Sequence, residues 1–186
     1  MDVLPRDLSL DDFIVEMSRE PVRSLTHERL MHLAGSLRLS DALVSGSVAY
    51  AQDGYARNLV CRTPSFELLV LCWRPGQEST IHDHAGALNA IRVYSGELTS
   101  RTFTRTSGAS AGDGPVGQDG EERVPADSHM VGLDRNGIHQ LANTSGEDLV
   151  TVHVYAPALM ELNVYSTTSA QVERRPLRYT LADDLS

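Results

Sequence analysis

From Tyr55 onward the apolar residues of this chain recur at the spacing of β-strands, and that change of period restricts the fold more than any other feature of the sequence. Short strand-like runs cover Tyr55–Cys61, Phe66–Trp73, Thr80–His84, Asn89–Tyr94, Leu98–Thr104, His129–Leu133, His139–Ala142 and Leu149–Tyr155. Turn-forming residues separate them: Thr63-Pro64-Ser65, Pro75-Gly76, Ser95-Gly96, Asn136-Gly137 and Ser145-Gly146. Many short strands broken by such turns predict an all-β barrel or sandwich. The stretch 107–122, with glycine at 108, 112, 114, 117 and 120, is too polar to pack and is expected to be a flexible surface loop.

Residues 1–45 carry helical punctuation instead. Ser9 followed by Asp12 predicts a capped helix to about Arg19, which Pro21 ends. Thr26 with Leu30, Leu33 and Leu37 predicts a second, amphipathic helix, and Ser40-Asp41 opens a short third one. His27 and His32 point in different directions on that second helix and are expected to be surface or internally satisfied histidines. With 186 residues, 41% of them hydrophobic, the chain can build one core, so a single domain over 1–186 is expected. A formal net charge of -9 without a basic cluster argues against nucleic acid or an anionic membrane as partner. There is no charged-then-apolar leader and no long apolar run, so a soluble cytoplasmic protein is expected, with Cys61 and Cys72 as buried thiols and not a disulfide. The sequence carries no signal for the oligomeric state.

Within the strand region, Ile81-His82-Asp83-His84 carries the chemistry. Residues two apart on a strand share a face. Both imidazoles can therefore converge on one ion at metal–nitrogen distances of about 2.0–2.1 Å, with Asp83 on the opposite face. Two histidines hold a metal weakly, and a third ligand is needed. His129, His139 and His153 all lie in the second half, and spacing alone does not choose among them.

The residues around them do. Gly76, then His82-x-His84, then Gly96 resembles the first cupin motif, and His139 followed by Asn143 resembles the end of the second; Asn89 stands where the first motif usually has a glutamate ligand. The resemblance to cysteine dioxygenase is closer still. Tyr55-Ala56-Arg57-Asn58-Leu59-Val60, Leu71-Cys72-Trp73, Pro75-Gly76, Ile81-His82-Asp83-His84, Gly137-Ile138-His139 and His153-Val154-Tyr155-Ala156-Pro157 occur in the order found in that family. The resemblance implies an all-β fold, a small cupin β-barrel of jelly-roll type over 50–165 behind an amino-terminal helical segment. It also implies Fe(2+) held by His82, His84 and His139, with a small thiol and O2 as the molecules bound, and oxidation of L-cysteine to cysteine sulfinic acid. Three neutral imidazoles leave such an ion its full charge and open positions, which suits a substrate that arrives as a thiolate.

The same resemblance gives roles to the residues nearby. Arg57 shares a strand face with Tyr55, and a guanidinium fork matches a carboxylate; the aligned arginine of the family binds the amino acid carboxylate, with the neighbouring tyrosine shaping that end. A sister group acting on 3-mercaptopropionate has glutamine there, so Arg57 favours cysteine. Thr151, His153 and Tyr155 alternate with Val150, Val152 and Val154 and resemble a Ser-His-Tyr row that brings the tyrosine hydroxyl near the metal to handle a proton. Ala156-Pro157 matches a cis-proline peptide of the family, and Trp73 is expected to be simply core. The chain also departs from the pattern. Asn89 stands where animal members carry a cysteine that crosslinks to the active-site tyrosine, so that crosslink cannot form, and Leu162 replaces a cysteine that lines the substrate pocket. Leu88 and Asn89, the latter as a substrate-contacting group, leave room for another thiol carboxylate such as 3-mercaptopropionate or mercaptosuccinate. A metal-binding cupin with isomerase or ligand-binding function is the alternative from a different class, and O2 uptake on thiol addition separates the two.

Overall fold

The computed structural model describes residues 7–106 and 115–180. Three helices come first: α1 (Leu10–Arg19), α2 (His27–Ser36) and α3 (Asp41–Ser45). Each starts at its expected cap, where the side-chain oxygen of Ser9, Thr26 or Ser40 accepts the backbone N–H of Asp12, Arg29 or Leu43. Ten strands follow among the described residues: β1 (Ala56–Arg62), β2 (Glu67–Trp73), β3 (His82–Asp83), β4 (Leu88–Ser95), β5 (Glu97–Arg105), β6 (Val116–Pro125), β7 (Ile138–Ala142), β8 (Leu149–Ala156), β9 (Glu161–Val164) and β10 (Glu173–Pro176). They form two antiparallel sheets in the orders β1-β2-β8-β4 and β10-β9-β3-β7-β5-β6. No ladder joins one sheet to the other among the described residues, so the expected barrel is a jelly-roll-like pair of sheets and not a closed cylinder.

Alternation divides the four-stranded sheet between two cores. Leu68, Val70 and Cys72 of β2, with Val150, Val152 and Val154 of β8, pack outward against Phe13, Met17, Leu30 and Leu33 of the helices. Each large side chain buried this way contributes about 1.5–3 kcal/mol relative to exposure. Leu69, Leu71 and Trp73, with Leu149 and Tyr155, face inward against Leu98, Leu141 and Leu162 of the other sheet. The chemistry-bearing residues of these strands are therefore interleaved with the apolar residues that attach the helices.

Several expectations are corrected. Of the stretch 107–122, residues 107–114 lie outside the described residues, and Val116 onward forms β6, paired with β5 from Arg105↔Val116 to Glu97↔Pro125. The strand lies at a sheet edge, burying Val116 and Val124 while its polar residues face water, so its composition is that of an edge strand and not of a loop. The run His129–Leu133 is not a strand; it makes a single bridge, Val131 to Ile91, on the free edge of β4. Thr80–His84 shortens to β3, and β9 and β10 arise where no strand was expected. His32 is exposed, but His27 is half-buried and its Nε2 has no hydrogen-bond partner, so it is neither a surface nor a satisfied histidine. Cys61 and Cys72 are free thiols, and burial pushes Cys61 up to about 11. No helix among the described residues is long and apolar enough to cross a membrane.

Candidate metal centre

The ladder between β3 and β7 sets His82 directly opposite His139. His84 reaches the same point from the turn after β3, where Ala85 and Gly86 adopt φ of 49° and 91° and the Ala87 N–H closes onto the His84 carbonyl at 2.9 Å. Asp83 points to the other face, as alternation requires, and holds that turn. Its carboxylate accepts the Ala85 N–H at 2.8 Å, the Asn163 amide at 2.9 Å and the Tyr165 hydroxyl at 2.6 Å. His139 Nε2 consequently lies 3.1 Å from His84 Nε2 and 3.2 Å from His82 Nε2, and all three rings are buried. Such separations are those of nitrogens sharing one ion at bonds of about 2.0–2.1 Å.

The protonation states agree with a cation site. His82 Nδ1 lies 2.8 Å from the Thr80 carbonyl, so Nδ1 carries the proton and Nε2 presents a lone pair. Burial holds His82 down at about 4, and burial followed by the neighbouring histidines pushes His84 and His139 well below the ordinary imidazole range. Three neutral rings whose nitrogens meet in a buried pocket fit a divalent metal as donor set. His129, by contrast, is exposed and pairs with Glu122 at 2.8 Å, and His153 belongs to a different arrangement.

That arrangement is a line of buried side chains. The Trp73 Nε1–H donates to Thr151 Oγ1 at 3.0 Å, Thr151 Oγ1 lies 2.8 Å from His153 Nε2, and His153 Nδ1 lies 3.0 Å from the Tyr155 hydroxyl. The indole is a donor only, so Thr151 accepts at that end. In the neutral tautomer with the proton on Nδ1, the Thr151 hydroxyl donates to His153 Nε2, the His153 Nδ1–H donates to the phenol oxygen and the Tyr155 proton is left to face the site. Burial holds His153 neutral, at about 3, and the Arg57 charge adds to the effect. Burial also raises the Tyr155 hydroxyl well above the ordinary phenol range, with the Arg57 charge partly offsetting the rise. The Tyr155 ring centre is 5.4 Å from that of His84, which brings the end of this line to the histidine cluster. Trp73 is thus more than core: besides heading the line it stacks on Tyr55, with ring centres 4.1 Å apart.

Register fixes the rest of the inner face. Tyr155 stands between Glu67 on β2 and Asn89 on β4 as cross-strand partners. Asn89 is fully buried; its Oδ1 accepts the Leu133 N–H at 2.8 Å, which turns Nδ2 the other way, toward the Tyr155 hydroxyl, whose pKa it helps to hold down against burial, although no hydrogen bond of ordinary geometry closes there. Gly132 is needed for this latch, because a Cβ there would sit 2.6 Å from the Asn89 carbonyl oxygen. Arg57 is buried and its Nη2 donates to Glu67 Oε1 at 3.1 Å. Sequence reasoning passed over Glu67, although the signal was present: it alternates with Leu69, Leu71 and Trp73 and so had to face inward. Leu162 packs in the cluster that contains Tyr155, and the Ala156–Pro157 peptide is cis as expected.

Residues 28–168 match the model of the cysteine dioxygenase type I family. The chain belongs to that family. Cysteine dioxygenase type 1 of Homo sapiens is 32% identical over 111 residues, which cover 58% of this chain and 54% of the human protein. The Danio rerio enzyme of the same name is 29% identical over 120 residues, covering 62% of this chain and 58% of its own length. The chain thus spans little more than half the length of these curated relatives. Among solved structures, a conserved protein with a double-stranded β-helix domain from Klebsiella pneumoniae aligns with a TM-score of 0.50 and 20% identity, covering 66% of this chain and 93% of its own, a likeness of fold alone. The three histidines, Arg57, Glu67, Asn89 and the line from Trp73 to Tyr155 all fall within the span matched to cysteine dioxygenase type I, whereas Tyr179 and Thr180 fall beyond it.

Proposed function

We propose that this chain is an iron-dependent thiol dioxygenase that oxidises L-cysteine with O2 to cysteine sulfinic acid, working as a single domain in the reducing cytoplasm. The observation that carries the reading is the meeting of three neutral histidine nitrogens, from His82, His84 and His139, at one buried point, with Arg57 and Tyr155 buried in the same interior. On this reading those histidines hold Fe(2+), which would lower the pKa of a bound thiol and bring it together with O2. The overall change is balanced by the two reactants: the O–O bond breaks, both oxygens become bonded to sulfur, and the thiol proton ends on the sulfinic acid.

The chain's own residues bind and orient. Arg57 takes the substrate carboxylate with the guanidinium donors that Glu67 does not use, and the Tyr55–Trp73 stack backs that end of the pocket. Tyr155, whose proton burial retains, donates toward the reacting group, while Thr151 and His153 fix its direction. Asn89 offers its unpaired Nδ2–H to an oxygen or nitrogen of the substrate. The test is O2 uptake by the Fe(II)-loaded protein with cysteine, 3-mercaptopropionate, mercaptosuccinate and cysteamine, with the product identified by mass. One O2 consumed per cysteine sulfinate formed is the expected result. A preference for another thiol carboxylate would move the substrate and keep the reaction, whereas metal binding without O2 uptake on any thiol would leave a cupin of isomerase or ligand-binding type.

A further inference from the structure

Glu67 is fully buried, and a carboxylate without water needs donors from the protein. Three are supplied. Arg57 Nη2 and the Leu159 backbone N–H donate to Oε1, each at 3.1 Å, and the Tyr179 hydroxyl donates to Oε2 at 2.6 Å. Burial and the Glu67 charge push the Tyr179 hydroxyl up to about 12, so it remains a donor throughout the neutral range. The Tyr179 ring centre also lies 5.5 Å from the guanidinium carbon of Arg57. Its neighbour Thr180 ties the same arginine by its backbone: the Arg57 N–H donates to Thr180 Oγ1 at 3.0 Å and the Thr180 N–H donates to the Arg57 carbonyl at 2.7 Å. The carboxy-terminal segment therefore holds Arg57 at both ends, through Thr180 at the main chain and through Tyr179 and Glu67 at the head group.

Two physical consequences follow. The guanidinium is fixed in direction, with its remaining N–H donors free to meet one carboxylate. Its charge is also offset by a carboxylate in direct contact, so an incoming anion meets a neutral pair and not a bare cation. We propose that Glu67, held by Tyr179, is a positioning and specificity-determining residue that anchors Arg57 and offsets its charge, so that the pocket selects thiols bearing a single carboxylate by fit and disfavours dicarboxylates. This rests on Arg57 receiving the substrate carboxylate, as proposed above.

The test is anaerobic calorimetric titration of the Fe(II)-loaded protein with cysteine, mercaptosuccinate and cysteamine, supported by KM and kcat for each. Glu67→Gln keeps the oxygen that accepts from Arg57 and Leu159 but removes the negative charge. It is expected to tighten cysteine binding by at least roughly tenfold, because one charge several ångströms away at an effective dielectric constant of about 20 is worth more than that factor. Mercaptosuccinate should tighten more, and cysteamine, which has no carboxylate, should be unmoved. Glu67→Ala removes the anchor and should weaken cysteine binding with cysteamine again unmoved. Tyr179→Phe, a milder change at a half-buried ring that guards against failure of the Glu67 variants to fold, should weaken cysteine binding roughly threefold by leaving Glu67 to hold Arg57 alone. If the variants move all three thiols together, or if Glu67→Gln and Glu67→Ala shift cysteine in the same direction, Glu67 is merely structural and the proposal is overturned. If Arg57→Ala leaves cysteine binding unchanged, the carboxylate assignment itself fails and takes this proposal with it.

Discussion

Replacing Thr151 with valine keeps the shape of a fully buried side chain and removes one hydroxyl from the middle of the line between Trp73 and Tyr155. Two polar groups lose their partner at once: the Trp73 Nε1–H and His153 Nε2, both in residues without solvent exposure. Each buried unsatisfied group costs about 1–3 kcal/mol, so the pair should cost about 2–6 kcal/mol. For a chain of this length that corresponds to a fall in melting temperature of about 4–24 °C. Urea unfolding of the metal-free protein measures the loss directly, provided the slope is unchanged. Thr104→Val, at an exposed position, is the control and should stay within about 0.5 kcal/mol. Iron content should be unaltered because Thr151 touches none of the three clustered histidines, yet turnover on cysteine should fall by about tenfold or more as His153 and Tyr155 lose their orientation. A destabilisation below about 1 kcal/mol would mean that the line is not closed as described. Full activity in a destabilised variant would make the line architectural and remove it from the chemistry.

Arg57→Ala should lower kcat/KM on cysteine by about 30-fold or more, the equivalent of about 2 kcal/mol or more for a desolvated carboxylate left unpaired, and should also lower the melting temperature because Glu67 becomes a buried charge without its partner; a silent variant would end the carboxylate assignment. His139→Ala should abolish stoichiometric iron binding while His129→Ala, at an exposed ring paired with Glu122, should leave it intact, as metal analysis of the purified variants will show. The metal-free protein should lose stability as pH falls below about 6.5, the usual imidazole value. His82 and His153 stay neutral in the folded state until about 4 and about 3, so between those limits the unfolded chain binds protons that the native one refuses. Each such residue costs up to about 1.4 kcal/mol per pH unit, and a flat stability profile from pH 7 to 4 in chemical unfolding would contradict the buried neutral state.

What was legible in the sequence was local. The caps at Ser9, Thr26 and Ser40 each need only a neighbour three residues on, and the alternation in β8 needs only its own side chains, so helices and inner strands appear where the pattern places them. The geometry of His82 and His84 was likewise readable from spacing, but the third histidine was not: His139 meets His82 through a ladder between strands far apart in sequence, and the family resemblance had to supply what spacing left open. β6 was misread because its polar, glycine-containing composition resembles a loop, and its strand form depends on β5 beside it. Tyr179 had no signal at all, since an isolated tyrosine near the carboxy terminus acquires meaning only when its hydroxyl is seen on Glu67.

The division of β8 between two cores has a consequence for how this chain can change length. Sliding β8 by one residue against β2 and β4 would turn Thr151, His153 and Tyr155 toward the helices and Val150, Val152 and Val154 into the site, exchanging both faces together. A single inserted or deleted residue in the middle of these strands is therefore intolerable in a way that a substitution is not. The places where the register does slip, between Leu59 and Cys61 on β1 and between Val93 and Ser95 on β4, lie toward strand ends, past Arg57 and past Asn89 respectively. Length variation among functional relatives should thus gather at those bulges and in the connections between strands, leaving the spacing from Thr151 to Tyr155 untouched.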